Sequence, residues 1–308
     1  MNSPNAEAAW TTRAPAKINL DLRLRGRRVD GYHLLTTVLQ SITLADTLTF
    51  RRAPGPFRLT CDTPGVPADA RNLAWRGAAA MADAIGMPLD GWSLHIEKHV
   101  PFEAGLGGGS ADAVAAARLV AHAAGGEVQG AELADIVRPL GADVAFFAWG
   151  GTMRGEGVGD DLTTLPDGEP GEVLLVRPAF GVSTRDAYRW HDADQSAGGP
   201  ALVAHLPSGG VPDSPAGWAD MRNDLEAPVV ARHPEIGAIV QRLREAGARL
   251  AAMSGSGSAC FGVFPPGVVP AELETGWKPG TRVWRTRVMS RAEYRDATVC
   301  ILATTPGV

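Results

Sequence analysis

Hydrophobic and polar residues alternate without a fault from Ala16 to Leu24, AKINLDLRL. Ala16, Ile18, Leu20, Leu22 and Leu24 fall on one face, and Lys17, Asn19, Asp21 and Arg23 on the other, which predicts a strand with one buried face. The Asp30-Gly31 pair that follows is a turn signal. Shorter strands are expected over 38–44, 47–50 and 57–61. Period two returns in GWSLHIEKHVP, with Trp92, Leu94, Ile96 and Val100 on one side. The run from Asn72 to Ile85 predicts a helix capped by Asn72 and stopped by Gly86. A second helix is expected to start at Ser110 and end near Ala124, and a shorter one to cover 131–140. Beyond Pro166 come a strand over 173–177 and a helix over 234–246 with Ile236, Ile239, Val240 and Leu243 on one stripe. A strand, glycine turn and strand are read in RLAAM-SGSGS-ACFGVF. Gly, Pro, Ser and Ala crowd positions 191–219, where a long surface loop is expected.

Strands and helices mixed in this way, over 308 residues, predict an α+β protein of two domains, 1–165 and 166–308, sharing a cleft. Apolar residues make up 45% and charged residues 20%, as in ordinary globular proteins. No apolar run is long enough to span a membrane. The N-terminal MNSPNAEAAWTTRAPAK lacks a basic start followed by an apolar core, so cytoplasmic residence is expected. A net charge of −5 speaks against nucleic acid or anionic membrane as partner. Cys61, Cys260 and Cys300 form no CxxC pair and are read as small buried hydrophobes. Nearly all of the 29 basic residues are arginine, lysine occurring only at Lys17, Lys98 and Lys278. A compact, mobile ammonium in an active site is one reason to keep it.

The longest glycine-rich patch, VPFEAGLGGGSADA, lies between a strand that ends at Val100-Pro101 and a helix that begins near Ser110. A slack linker would have no reason to sit there. At a helix start the first amides lack internal partners and the dipole favours an anion, so bare glycine backbone suits phosphate. Gly109 is followed by Ser110-Ala111 rather than Lys-Ser/Thr, which excludes a Walker A loop, and GxGxxG fails because residue 110 is not glycine. Asp143 in GADVAFF reads equally as a helix N-cap or as a functional carboxylate. Lys17 alone would pass for a solvated strand position. Gly255 and Gly257 could make a tight turn or a second backbone surface near a ligand. His95 and His99, four apart on a strand, stand about 13 Å apart, too far for one metal ion.

Together, PAKINLDL, RVDGYH, PFEAGLGGGSADA, GADVAFF, GEGVGD, RNDLE and SGSGSACFGVF occur in an order that resembles the GHMP kinases. AKINL with DGYH and GADV points, within them, to a kinase whose small-molecule substrate carries a cytidine diphosphate group. The resemblance implies an α+β fold of two domains, with ATP, accompanied by Mg²⁺, meeting the substrate in the cleft between them. It makes Pro101, Phe102, Glu103, Ala104, Gly105, Leu106, Gly107, Gly108, Gly109, Ser110 and Ala111 the ATP loop. Asp143 becomes the base on the substrate hydroxyl and Lys17 its neighbour. Asn19 is implied to contact the substrate near that hydroxyl, Tyr32 to stack on the cytosine and His33 to hydrogen-bond its edge. Tyr188 and Trp190 are both candidates for a second stacking ring. No residue is singled out as a metal ligand. Glu103, Ala104, Ala111, Ala145 and Asp160 depart from the common pattern, and the Glu103 side chain is expected to point outward. A kinase of another acceptor and a non-catalytic nucleotide-binding module are the competing readings.

Overall fold

The computed structural model describes residues 9–168, 170–196 and 220–303. Two long strands, β1 (Ala9–Arg27) and β2 (His33–Arg52), run antiparallel along most of their length. With β3 (Arg58–Cys61) and β4 (Trp92–Glu97) they build the larger sheet, and the helices α1 (Leu73–Ile85), α2 (Gly108–Ala123), α3 (Gly130–Val137) and α4 (Phe146–Trp149) accompany it. Strands β5 (Thr152–Glu156) and β6 (Asp161–Thr164) extend that sheet from the first half of β2. The second sheet starts with β7 (Glu172–Arg177). Helices α5 (Thr184–Ser196), α6 (Glu226–Arg232) and α7 (Pro234–Glu245) follow, then β8 (Leu250–Met253), β9 (Cys260–Phe264) and β10 (Arg282–Arg287), in the order β10-β7-β9-β8. After α8 (Arg291–Ala297) the two-residue β11 (Ile301–Leu302) pairs with the start of β1, so the last described strand joins the first sheet. Of the segment read as a long loop, His191–Ser196 is the last part of α5, and 197–219 lies outside the described residues.

The core has three parts. Phe50, Leu94, Ile96, Met81, Val114 and Phe147 fill the space between the larger sheet and its helices. Leu174, Val176, Ile236, Ile239, Val240 and Leu243 pack the second sheet against α7. Between the two sheets, Ala16, Ile18 and Leu20 of β1 meet Val173, Leu175, Phe261 and Val263. The apolar face of β1 is thus the seam of the molecule.

The polar face of β1 is buried as well, against expectation: Lys17 is 3% exposed, Asn19 4% and Asp21 0%. The glycine loop covers Lys17, Ser254 of the SGSGS turn accepts from the Asn19 amide, and the backbone at Arg222 covers Asp21. Strand β2 is continuous where two strands were expected. Asp46, between the two expected ranges, is buried with partners of its own, the amides of His99 and Val100 and the ammonium of Lys98. Helix α1 runs from the Asn72 cap to Gly86, which takes a left-handed conformation as expected. Of the cysteines only Cys260 is fully buried, and Cys61 and Cys300 are half-buried. No helix among the described residues is long and apolar enough to cross a membrane.

Candidate active site

Helix α2 starts earlier than its composition suggests. Gly107 is the N-cap at φ 69°, and Gly108 and Gly109 already belong to the helix. Its first hydrogen bond is from Ala111 N–H to the Gly107 carbonyl, 2.9 Å, so the amides of Gly108, Gly109 and Ser110 stand ahead of the helix's own ladder. No side chain caps this end. The loop before it is pinned by packing. Gly105, at φ 77°, runs so close to the β8–β9 turn that an added Cβ would lie 2.1 Å from the Ser254 carbonyl oxygen. Gly109 differs: a Cβ there would meet only Leu73, at 3.6 Å. Packing does not demand glycine at 109, and the open space over it is what an anion at this helix end would use.

The Lys17 side chain passes beneath the loop. Its Nζ donates to Asn19 Oδ1 at 2.6 Å and to the Gly105 carbonyl at 3.0 Å, and stands 3.3 Å from Asp143 Oδ2. Asn19 in turn donates to Thr37 Oγ1, 2.9 Å. Asp143 precedes α4, whose N-cap position is Ala145, with no side-chain cap bond. Of the two readings of Asp143 the structure therefore excludes the helix cap. Its carboxylate is 43% exposed and faces the cleft. The SGSGS turn closes the site from the other sheet. Asn223, within the RNDLE segment, holds that turn by donating to the carbonyls of Met253 and Gly255, at 2.8 and 2.7 Å.

Lys17, Asn19, Asp143, Gly105, Gly107 and Gly255 all border one cavity of about 1210 Å³. At its far end are Tyr32, 66% exposed, His33, Tyr188 and Asp192. Tyr188 stacks on His33 with centroids 4.7 Å apart, and burial, helped by the charge of Asp143, pushes its phenol up to about 12, so it stays protonated. Trp190 packs against His233 and Arg232 in the second core and does not line the cavity, whereas Tyr188 does. Arg27, Arg138, Arg185 and Arg189 give the same cavity a cationic wall.

The remaining loop residues separate into two groups. Phe102 and Glu103 are exposed, Glu103 pointing outward as expected and at φ 53°. Ala104, Leu106 and Ala111 are buried packing positions, so any ligand contact they make is through backbone. Sequence reasoning passed over Thr37, Asn223 and Asp192. Asn223 sat in a quoted motif, whereas Asp192 carried no local signal. It also passed over the pair of carboxylates beneath the loop, Asp46 and Asp112, which hold Lys98. His191 comes within reach of His33 and Asp192. The separation of 2.7 Å between His33 Nε2 and Asp192 Oδ1 is a hydrogen bond, with no room for an ion between them.

Comparison with known proteins agrees with this geometry. The GHMP kinases N terminal domain matches residues 72–151 and the GHMP kinases C terminal domain residues 215–278. The chain is 42% identical over 266 residues to a 4-diphosphocytidyl-2-C-methyl-D-erythritol kinase of Synechococcus sp. (strain JA-3-3Ab), covering 83% of this chain and 85% of that one. It is 41% identical over 285 residues to the kinase of the same name from Moorella thermoacetica, covering 90% and 98%. A crystal structure of 4-(cytidine 5'-diphospho)-2C-methyl-D-erythritol kinase superposes with a TM-score of 0.73 at 33% identity, over 90% of this chain and 98% of that one. Homoserine kinase from Cytophaga hutchinsonii, at 17% identity and a TM-score of 0.67 over 94% and 96%, shares the fold. The chain belongs to the 4-diphosphocytidyl-2-C-methyl-D-erythritol kinases, a family of the GHMP kinase fold.

Proposed function

We propose that this cleft transfers the γ-phosphoryl group of ATP to the C2 hydroxyl of 4-diphosphocytidyl-2-C-methyl-D-erythritol, giving the 2-phosphate and ADP, in the non-mevalonate route to isoprenoid precursors. The observation that carries the reading is the meeting of Lys17, Asn19 and Asp143 beside the uncapped start of α2, in a cavity whose other end is aromatic. Phosphoryl transfer asks the protein for positioning and charge neutralisation more than for covalent chemistry. Asp143 takes the proton of the C2 hydroxyl as its oxygen bonds to the γ-phosphorus and the bond to the β-phosphate oxygen breaks. Lys17 orients that carboxylate and offsets charge on the transferring group, while Asn19 holds the alcohol. The amides of Gly108, Gly109 and Ser110 receive the phosphates of ATP. The arginine wall suits the diphosphate of the acceptor, and Tyr32 and Tyr188 flank its cytosine.

Mg²⁺ accompanies ATP in this reading. The ion takes most of its oxygens from phosphates and water, and one or two from protein. Ser110 fits this: its hydroxyl has no protein partner among the described residues and stands in the first turn of α2. Bound there, the ion would neutralise charge on the β- and γ-phosphates. We assign the reaction to the cytoplasm, and residues 1–165 and 166–308 to the two domains that form the cleft.

The test is ADP release with ATP, Mg²⁺ and the cytidyl acceptor, run beside mevalonate and galactose. Turnover with the cytidyl acceptor alone is expected. Turnover with another acceptor would make this a kinase of different specificity, and ATP binding without turnover on any acceptor would make it a binding module.

A further inference from the structure

At the aromatic end of the cleft the His33 imidazole is held from behind. Its Nε2 lies 2.7 Å from Asp192 Oδ1 on α5, and Tyr188 covers one face of the ring. Charged or titratable groups around Asp192 also include Arg27, with Nη1 3.6 Å from Oδ2, and His191, with Nδ1 3.6 Å from Oδ1. Burial opposes ionisation of Asp192, but the hydrogen bond from His33 and the neighbouring positive charge outweigh it and hold the carboxyl below its usual range. An ionised carboxylate only accepts hydrogen bonds. The proton in the 2.7 Å contact therefore belongs to His33 Nε2, and in a neutral imidazole Nδ1 is then a bare acceptor. Nδ1 has no partner among the described residues.

We propose that Asp192 is a specificity-determining positioning residue: by fixing the His33 tautomer it makes the cleft select cytosine, whose 4-amino group donates, over uracil, whose O4 only accepts. The inference rests on the reading above that the cytidyl end of the acceptor lies against His33. Cytosine gives the Nδ1 lone pair its hydrogen, whereas uracil sets one lone pair against another and leaves both unsatisfied. A site built to use one hydrogen bond rejects the analogue that cannot make it far more strongly than an apolar pocket rejects a missing methylene.

Titration calorimetry of CDP and UDP on the full chain tests this without phosphoryl transfer. Wild type is expected to prefer CDP by about 100-fold or more. In Asp192→Asn the amide can accept or donate, so either tautomer is satisfied; the preference should fall about tenfold, with UDP binding becoming tighter. Asp192→Glu keeps an acceptor-only partner and should keep the preference. The ¹⁵N resonances of His33 should show a proton on Nε2 in wild type. Absence of a CDP preference in wild type, equal weakening of both ligands in Asp192→Asn, or a wild-type proton on Nδ1 would overturn the proposal. The spectrum and the wild-type preference decide it even where Asp192→Asn fails to fold. Failure of the kinase reading looks different: no ADP release with the cytidyl acceptor while CDP is still preferred.

Discussion

Lys17 and Lys98 are both buried against the same glycine loop, yet their ammonium groups keep different company. An added Cβ on Gly107 would lie 3.1 Å from Lys17 Cγ, and one on Gly108 would lie 3.2 Å from Lys98 Nζ. Lys98 is saturated by two buried carboxylates, Asp46 and, at 2.8 Å, Asp112. Those three side chains tie β2, the residue after β4 and the second turn of α2 into one block. Lys17 has neutral oxygens for two of its bonds, and its one carboxylate, Asp143, remains open to the cleft. A lysine whose charge is fully compensated inside the protein can only support structure. One whose partner still faces a cavity has charge left for a substrate. Lys278, exposed beside Glu235, has neither role.

The sharpest way to break this contrast is to remove each ammonium in turn. Lys17→Met should lower kcat by about 100- to 1000-fold, while urea denaturation finds a loss of only about 1 kcal/mol. The small loss is expected because Ser254 Oγ also donates to the Gly105 carbonyl, at 3.0 Å. Lys98→Met should do the reverse. It leaves the buried Asp46 carboxylate without its counter-charge and the buried Asp112 carboxyl without its partner, costing about 3–5 kcal/mol of stability. Equal stability losses in the two variants would erase the distinction.

The loop glycines sharpen it further. Gly105→Ala is expected to destabilise the fold, because its φ is positive and the Ser254 carbonyl occupies the space a side chain needs. Gly109→Ala, in a helix with room around it, should leave the melting temperature unchanged or slightly higher and raise KM for ATP about tenfold. A further tenfold effect, on KM for the cytidyl acceptor, is expected from Tyr188→Leu and not from Trp190→Leu.

A further prediction concerns pH. Burial, and competition with Asp46 for the single Lys98 ammonium, raise the Asp112 carboxyl to about 8. The folded chain thus binds more protons than the unfolded chain between about 4 and 8, so this group's contribution to stability is full below that window and is lost as pH rises through it. Asp112→Asn should flatten that slope in denaturation curves recorded at several pH values.

What the sequence discloses follows from how local each cause is. Helices α1 and α7 could be read almost to the residue, because Asn72, Gly86 and the stripe Ile236, Ile239, Val240 and Leu243 act within a few turns. Strand β2 could not, since the partners that let Asp46 stay buried mid-strand come from residues 98–100. The two glycines that open α2 carry poor helix propensity, so the composition puts the helix start later, at Ser110. Lys17 and Asp143 were legible as members of an ordered set of motifs. That Asn19 and Gly105 complete the coordination of Nζ needed the fold. Asp192 was invisible, a polar residue on a polar helix whose partner His33 lies 159 positions away.

The most direct test of the central claim is a single-turnover measurement on Asp143→Asn with ATP, Mg²⁺ and saturating cytidyl acceptor. The account predicts that binding of both substrates persists while the rate of phosphoryl transfer falls by about 100- to 10,000-fold, since the carboxylate that receives the proton is gone. Transfer at the wild-type rate in a folded Asp143→Asn protein would contradict it, and would leave the pairing with Lys17 a feature of structure alone.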